Sequence, residues 1–239
     1  HGYIPVYLLN KGYINFAILA DVNKGPLENA RGEVRHNNLL EKVDLRLGSG
    51  IEVLRVNEVD EVIIAGMGGI LISELLEAKK EVAHSVDKLI LQPMQAQNEL
   101  RKYLLNNGYE ILDEVLVKED FRVYEIIIAK YINKNTVVED EIYYEVGKKL
   151  IENKDPLLNE FIDKKVFKAF HDEILNQYIE LFNEERNALF RMKELWGYMI
   201  YMFSDNKKYA KKIKKAQNLS DYKSAVSSLF AEQKIVEGA

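Results

Sequence analysis

Four short segments carry residue types suited to holding a nucleoside. Asp21 closes the β-rich run Phe16–Asp21. A carboxylate offers two acceptor oxygens and no donor, so an acid at the carboxyl end of a strand can receive both hydroxyls of a ribose. The same aspartate can equally cap the helix that begins near Pro26. Gly48-Ser49-Gly50 follows the run Val43–Leu47. Small residues there let the backbone approach a flat ring, with serine as a polar contact, or simply make a tight strand-to-helix connection. Ala65-Gly66-Met67-Gly68-Gly69 ends the run Glu61–Ala65. Three glycines in four residues open a floor where a ligand can touch main chain. The segment lacks both the Lys-Ser/Thr ending of a P-loop and the spacing of the dinucleotide fingerprint. Met67 reads either as core or as a flexible apolar wall against a base. Gln92-Pro93 follows the run Lys88–Leu91; its amide could read a base edge, or the pair could only form a loop.

These chemistries become one site only if successive strands end on one rim, as in open α/β sheets, where ligands bind outside the carboxyl ends of the strands. The pattern of residues 1–131 supplies such an arrangement. The β-rich runs named above, with Ile111–Leu116 and Val123–Lys130, are separated by amphipathic stretches at Pro26–His36, Ile70–Glu77 and Asn98–Asn107. Alternation of this kind predicts a doubly wound α/β layer structure. Near-continuous apolar runs such as Val62-Ile63-Ile64-Ala65 suggest strands buried on both faces. The last two runs have no helix between them, which predicts an antiparallel strand in an otherwise parallel sheet. That feature is common in methyltransferases and absent from the standard dinucleotide-binding order.

From about Asn133 strand signals disappear. Helical patterns cover Glu139–Glu152, Pro156–Phe203 and Lys207–Gln217, with an apolar stripe through Leu157, Phe161, Phe170, Leu175, Leu181 and Leu189 at helical spacing. A helical pair or coiled-coil-like arm is expected, with the boundary near residues 131–138. Lys207, Lys208, Lys211, Lys212, Lys214 and Lys215 lie in a stretch, 206–220, with no acid. They form either a solvated helix face or a surface for nucleic-acid phosphates.

Bulk properties set limits. The chain has 239 residues, 30% of them charged, and no cysteine, which excludes disulfides, thiolate–metal sites and a cysteine nucleophile. Absent cysteine fits a cytosolic protein. No apolar run reaches the roughly 18 residues that span a bilayer, so no membrane role is expected. The net charge of −5 sits in residues 1–131, with 15 Lys+Arg against 20 Asp+Glu; residues 132–239 hold 18 of each. A generally basic nucleic-acid binder is excluded, but a local basic surface is not. His1, His36, His84 and His171 are scattered, are expected on surface or helix faces, and predict no metal site. Oligomeric state is not legible.

The segments His1-Gly2-Tyr3-Ile4-Pro5, Asn23-Lys24-Gly25-Pro26, Arg46-Leu47-Gly48-Ser49-Gly50, Ile64-Ala65-Gly66-Met67-Gly68-Gly69, Leu91-Gln92-Pro93 and Tyr124-Glu125-Ile126-Ile127 resemble, in order, the bacterial tRNA adenine-N1 methyltransferases that modify position 22. The resemblance is dense over residues 1–131 and architectural beyond. It implies a Rossmann-like class I methyltransferase sheet (residues 1–131) with a C-terminal helical, coiled-coil-like domain (132–239), S-adenosylmethionine as cofactor, tRNA as substrate and a cytoplasmic location. It also implies that the first strand and an acidic loop around the methionine part of the cofactor precede His1, and that this loop supplies a catalytic acid. On this reading His1, Gly2, Asp21, Val22, Ser49, Gly50, Ala65 and Gly66 bind the cofactor. His1, Tyr3, Gly66 and Met67 surround the reacting atoms. Gly68, Gly69, Gln92, Lys207, Lys208, Lys211 and Lys212 contact substrate. Two positions depart from the family pattern, which usually has an acid where Ser49 stands and often an asparagine where Met94 stands. Three other readings compete: a methyltransferase of small molecules or proteins, a nicotinamide-dependent oxidoreductase, and a non-catalytic helical interaction module.

Overall fold

The computed structural model describes residues 1–120 and 122–236. The chain divides into two compact units, His1–Glu114 with Ile126–Glu145, and Val115–Glu125 with Val146–Ala239.

The first unit opens with α1 (Tyr3–Asn10), which buries Val6 and Leu9, and continues through β1 (Ala17–Asp21) to α2 (Lys24–His36). Leu27, Ala30 and Val34 recur at steps of three and four and form the buried stripe of α2. After β2 (Val43–Leu47) a 3-10 turn spans Gly50–Val53. Then come β3 (Glu61–Gly68), α3 (Gly69–Ala78), the short α4 (Lys80–Ala83), β4 (Lys88–Gln95) and α5 (Gln97–Asn106). A hairpin of β5 (Tyr109–Glu119) and β6 (Arg122–Tyr131) follows.

β1 and β2 form a parallel pair, and β3-β4-β6-β5 form a separate four-stranded sheet. β3 and β4 run parallel, whereas β6 is antiparallel to β4, as the helix-free pair of runs predicts. One face of this sheet carries Val62, Ile64, Leu89, Leu91, Ile127 and Ala129 against Ile72 and Leu76 of α3 and Leu100 and Leu104 of α5. Each fully buried leucine among them contributes about 1.5–3 kcal/mol relative to leaving it in water. The expectation of strands buried on both faces fails at β3, where burial alternates and Ile63 is 42% exposed. Its helix cover lies on one side, so period two, not an unbroken apolar run, describes its environment.

In the second unit, the core at the hairpin end is Leu116, Leu150 and Phe161. The expected helix over Glu139–Glu152 is split by Gly147 at φ +85° into α6 (Ile142–Val146), which belongs to the first unit up to Glu145, and α7 (Lys148–Glu152) of the second. The long pattern over Pro156–Phe203 is likewise divided, into α8 (Leu158–Phe182) and α9 (Glu185–Met199), with left-handed Asn183 (φ +50°) closing α8. α10 (Lys207–Lys215) matches the lysine-rich stretch. α11 (Leu219–Glu232), absent from the patterns read above, starts at Asn218, whose side chain accepts the Asp221 N–H. Its Leu219, Tyr222, Val226 and Leu229 join Met192, Trp196 and Phe203 in the larger helical core.

His171 lies on a helix, one of its two expected placements, but on the inward face of α8, where it is 1% exposed. Trp196 Nε1–H donates to the Tyr222 hydroxyl at 2.7 Å, and that hydroxyl meets His171 Nε2 at 2.7 Å. The other ring nitrogen, Nδ1, faces Asp172 Oδ1 at 2.9 Å. Burial raises the Tyr222 pKa, so the hydroxyl keeps its proton. One hydroxyl thus pins α8, α9 and α11. Tyr222→Phe should destabilise the helical unit by about 2 kcal/mol, because an indole N–H and an imidazole nitrogen are left buried without a partner. Denaturant titration checks this, and an unchanged midpoint would remove the network from the account of stability.

Candidate active site

Parallel pairing sets Asp21 opposite Leu47, so β1 and β2 end together. The Gly48 N–H donates to the Asp21 carbonyl at 2.9 Å. Asp21 Oδ1 accepts the Asn23 N–H at 2.8 Å, a local turn at the start of α2. Oδ2 has no hydrogen-bond partner among the described residues, and neighbouring Val22 is 61% exposed. Oδ1 is thus engaged in the turn before α2, and Oδ2 is open.

Arg46 shapes the next loop, and its part was not legible in sequence. Its Nη1 donates to the Val53 carbonyl at 2.8 Å, its Nη1 and Nη2 clasp the two Glu58 oxygens at 2.8 and 2.7 Å, and Nε meets Asp44 Oδ2 at 2.8 Å. The hydrogen bond from Arg46, helped by the Arg55 N–H, holds the Glu58 carboxyl down to about 2, so the clasp stays charged at any physiological pH. It fixes the turn that carries Ser49 and Gly50. Gly48 has no room for a side chain, since a Cβ would lie 2.4 Å from Val53 Cγ1, and Gly50 is left-handed (φ +47°) against Leu75 of α3. The Gly50–Val53 turn packs on both β1 and α3 and so links the two strand-end clusters.

The second cluster is the glycine segment. The register of β3 on β4 breaks twice, between Ala65 and Met67 and between Met67 and Gly68. A bulge of this kind leaves a residue out of the ladder. That residue is Gly66, at φ +79°, and nothing lies within 4 Å of where its Cβ would be. Its N–H donates to Gln92 Oε1 at 2.9 Å, while Gln92 Nε2 faces the Pro93 carbonyl and Met94 Sδ. The Gln92 amide is therefore spent on shaping the loop. Ala65 is exposed, and Met67 is half-buried against the sheet core. Gly68 lies against the Gln95 side chain, and Gly69 against the Ala96 carbonyl.

His1, Gly2 and Tyr3 stand at the start of α1. Gly2 is left-handed (φ +84°), with its Cα side pressed on Ala30 of α2, and the His1 and Tyr3 rings are nearly parallel at 6.1 Å. No hydrogen bond joins either ring to the Gly66–Gly69 loop among the described residues. A hollow of about 300 Å³ lies between Ile70 and Ser73 of α3 and Lys102, Tyr103 and Asn106 of α5, and no residue of the glycine segment lines it. Lys207, Lys208, Lys211 and Lys212 belong to the second unit, where all four are exposed on α10 opposite buried Tyr209 and Ile213. Among the described residues, no group of three or more His, Asp or Glu could hold a metal ion, and no helix is long and apolar enough to cross a membrane.

A mixed sheet with helices and loop-borne features at its strand ends is a Rossmann-like methyltransferase fold. A Streptococcus pneumoniae protein solved with S-adenosyl-L-methionine shares it at TM-score 0.65 and 28% identity, over 75% of this chain and 81% of that one. The Mycoplasma capricolum TrmK structure with S-adenosyl-homocysteine matches at TM-score 0.61 and 25% identity, over 82% and 86% of the two chains. The family profile for TrmK, tRNA (adenine(22)-N(1))-methyltransferase, matches residues 1–195. The chain belongs to this family. The Bacillus subtilis tRNA (adenine(22)-N(1))-methyltransferase is 35% identical over 130 residues, 54% of this chain and 55% of that protein, so the match spans about half the length of this curated relative.

Proposed function

We propose that this protein transfers a methyl group from S-adenosylmethionine to N1 of an adenine in tRNA, in the cytoplasm. Residues 1–131 serve as the cofactor domain and residues 132–239 as a coiled-coil-like helical arm; the last three residues of that arm lie outside the described ones. The observation that carries the reading is the rim itself: a free carboxylate oxygen on Asp21 and an open, side-chain-free bulge at Gly66, each at a strand's carboxyl end.

The residues present fit the cofactor. Asp21 Oδ2 is an available acceptor for ribose hydroxyls, Ser49 can accept from an adenine amino group, and Gly50 keeps that loop close. Bound S-adenosylmethionine would supply a methyl group already activated on a sulfonium. The nucleophile, N1 of adenine, carries no proton, so the site needs alignment more than a strong base. Gly66 leaves the approach unobstructed and Met67 walls it, while His1 and Tyr3 orient the base. The base must leave its stack, which costs a few kcal/mol; a main-chain carbonyl of the Gly66 bulge can hold its amino group. The exposed lysines of α10 grip tRNA phosphates, an interaction that weakens steeply with salt.

Incubation of the full-length protein with S-adenosylmethionine and unmodified tRNA, followed by nucleoside mass spectrometry, tests the reading. One N1-methyladenosine per tRNA is expected. Methylation confined to a small molecule or protein, or none with any substrate while the cofactor binds, would refute it.

A further inference from the structure

We propose that α1 is a stacking platform for unpaired RNA bases next to the target nucleotide. The proposal rests on the reading of tRNA as substrate and extends it from Tyr3 to Tyr7, Lys11 and Tyr13, which have been given no role so far. Tyr3 and Tyr7 stand one helical turn apart and so share a face of α1. They are 67% and 55% exposed, although each presents a full aromatic ring to water. Tyr13, 69% exposed, places its ring 6.4 Å from that of Tyr7. Lys11 holds its ammonium 6.0 Å from the centre of the Tyr7 ring. The three hydroxyls have no hydrogen-bond partner among the described residues. A separate side of the helix carries Val6 and Leu9 into the core with Val34, Leu39 and Val43, so fold stability accounts for that side alone.

A row of exposed rings beside a cation matches the chemistry of single-stranded RNA. Every base has a π face that stacks on an aromatic ring, and the linking phosphates take a lysine. Ile4 is also 50% exposed beside Tyr7, but the rings around it end in hydroxyls and a charge stands among them, a mixture that suits bases better than the continuous apolar patch a folded protein partner would meet. The size also fits. Eight residues of helix span about 12 Å, which at about 3.4 Å per stacked nucleotide accommodates about three bases. The row begins at Tyr3, proposed above to orient the target base, and runs along α1 from there. Flanking nucleotides unstacked with the target would thus be received by Tyr7, Lys11 and Tyr13.

The test uses the full-length protein with a short fluorescein-labelled oligo-adenylate and, separately, an unmodified tRNA transcript. The paired change Tyr7→Ala with Tyr13→Ala should weaken oligonucleotide binding at least tenfold and raise KM for tRNA, leaving cofactor affinity and melting temperature unchanged. Tyr7→Phe with Tyr13→Phe should bind as the parent does, since the ring and not the hydroxyl stacks. Lys11→Ala should lower the salt slope of binding by about 0.7. Equal binding by parent and the alanine pair overturns the platform, as does a parent that does not bind the oligonucleotide. A parent that dimerises through this face, with the alanine pair monomeric, overturns it in favour of a second copy. If the parent binds RNA through these rings but methylates no tRNA, the functional reading fails and the platform stands.

Discussion

Asp21→Ala should weaken binding of S-adenosylmethionine by about 10- to 150-fold, the loss expected when a charged acceptor worth about 1.5–3 kcal/mol is removed. Asp21 performs two tasks with two oxygens: Oδ1 holds the Asn23 N–H at 2.8 Å, and Oδ2 is open. Asp21→Asn separates them. The amide oxygen can keep the turn, while the amide nitrogen offers a donor where a ribose hydroxyl needs an acceptor. The asparagine variant should therefore melt like the parent and still lose most of its cofactor affinity. Calorimetric titration with S-adenosyl-homocysteine reads the loss. Unchanged affinity in the alanine variant would show that the carboxylate only makes the turn before α2.

The second large effect is expected at Gly69, for a reason independent of any ligand. It is the first residue of α3 and is buried. A Cβ added there would lie 2.2 Å from the Ala96 carbonyl oxygen and 3.1 Å from that of Gln95. Both obstacles are backbone, and Ala96 is already strained at φ +54°. Neither can swing aside as a side-chain tip would. Gly69→Val should cost about 3 kcal/mol or more, a fall of roughly 6–12 °C in the melting of the α/β unit at about 2–4 °C per kcal/mol. Because α3 must shift, the Gly66 bulge should lose its geometry as well. A variant that melts within about 2 °C of the parent would mean that α3 and the start of α5 can separate without cost.

Much of the positioning scaffold was legible from residue patterns alone. The run Val43–Leu47 coincides with β2, and the runs at Phe16–Asp21, Glu61–Ala65 and Lys88–Leu91 lie at the starts or over most of β1, β3 and β4. Hydrophobic periodicity is a local consequence of which face meets the core, so it can be read from sequence. Asp21 ends β1 as its pattern predicts, whereas Gly66 and Gln92, read as following their runs, lie within β3 and β4, which extend to Gly68 and Gln95. Other features were missed although their signal is local. α11 has an Asn218 cap and apolar residues at helical steps, but it follows a lysine run that draws attention to charge.

What sequence could not supply is partner choice. Nothing local tells that Arg46 clasps Glu58, twelve residues away, that Gln92 spends its amide on the Gly66 N–H, or that Gly69 is needed because Ala96 lies against it. The same holds for His171, whose place in the core depends on Tyr222, 51 positions later. Residue order by itself determined the strands of the first unit, part of the helical pattern and the family. Only the tertiary structure decided which polar atoms are spent within the fold and which remain open, because hydrogen bonds and steric exclusion depend on distances between segments that the chain's local periodicity does not encode.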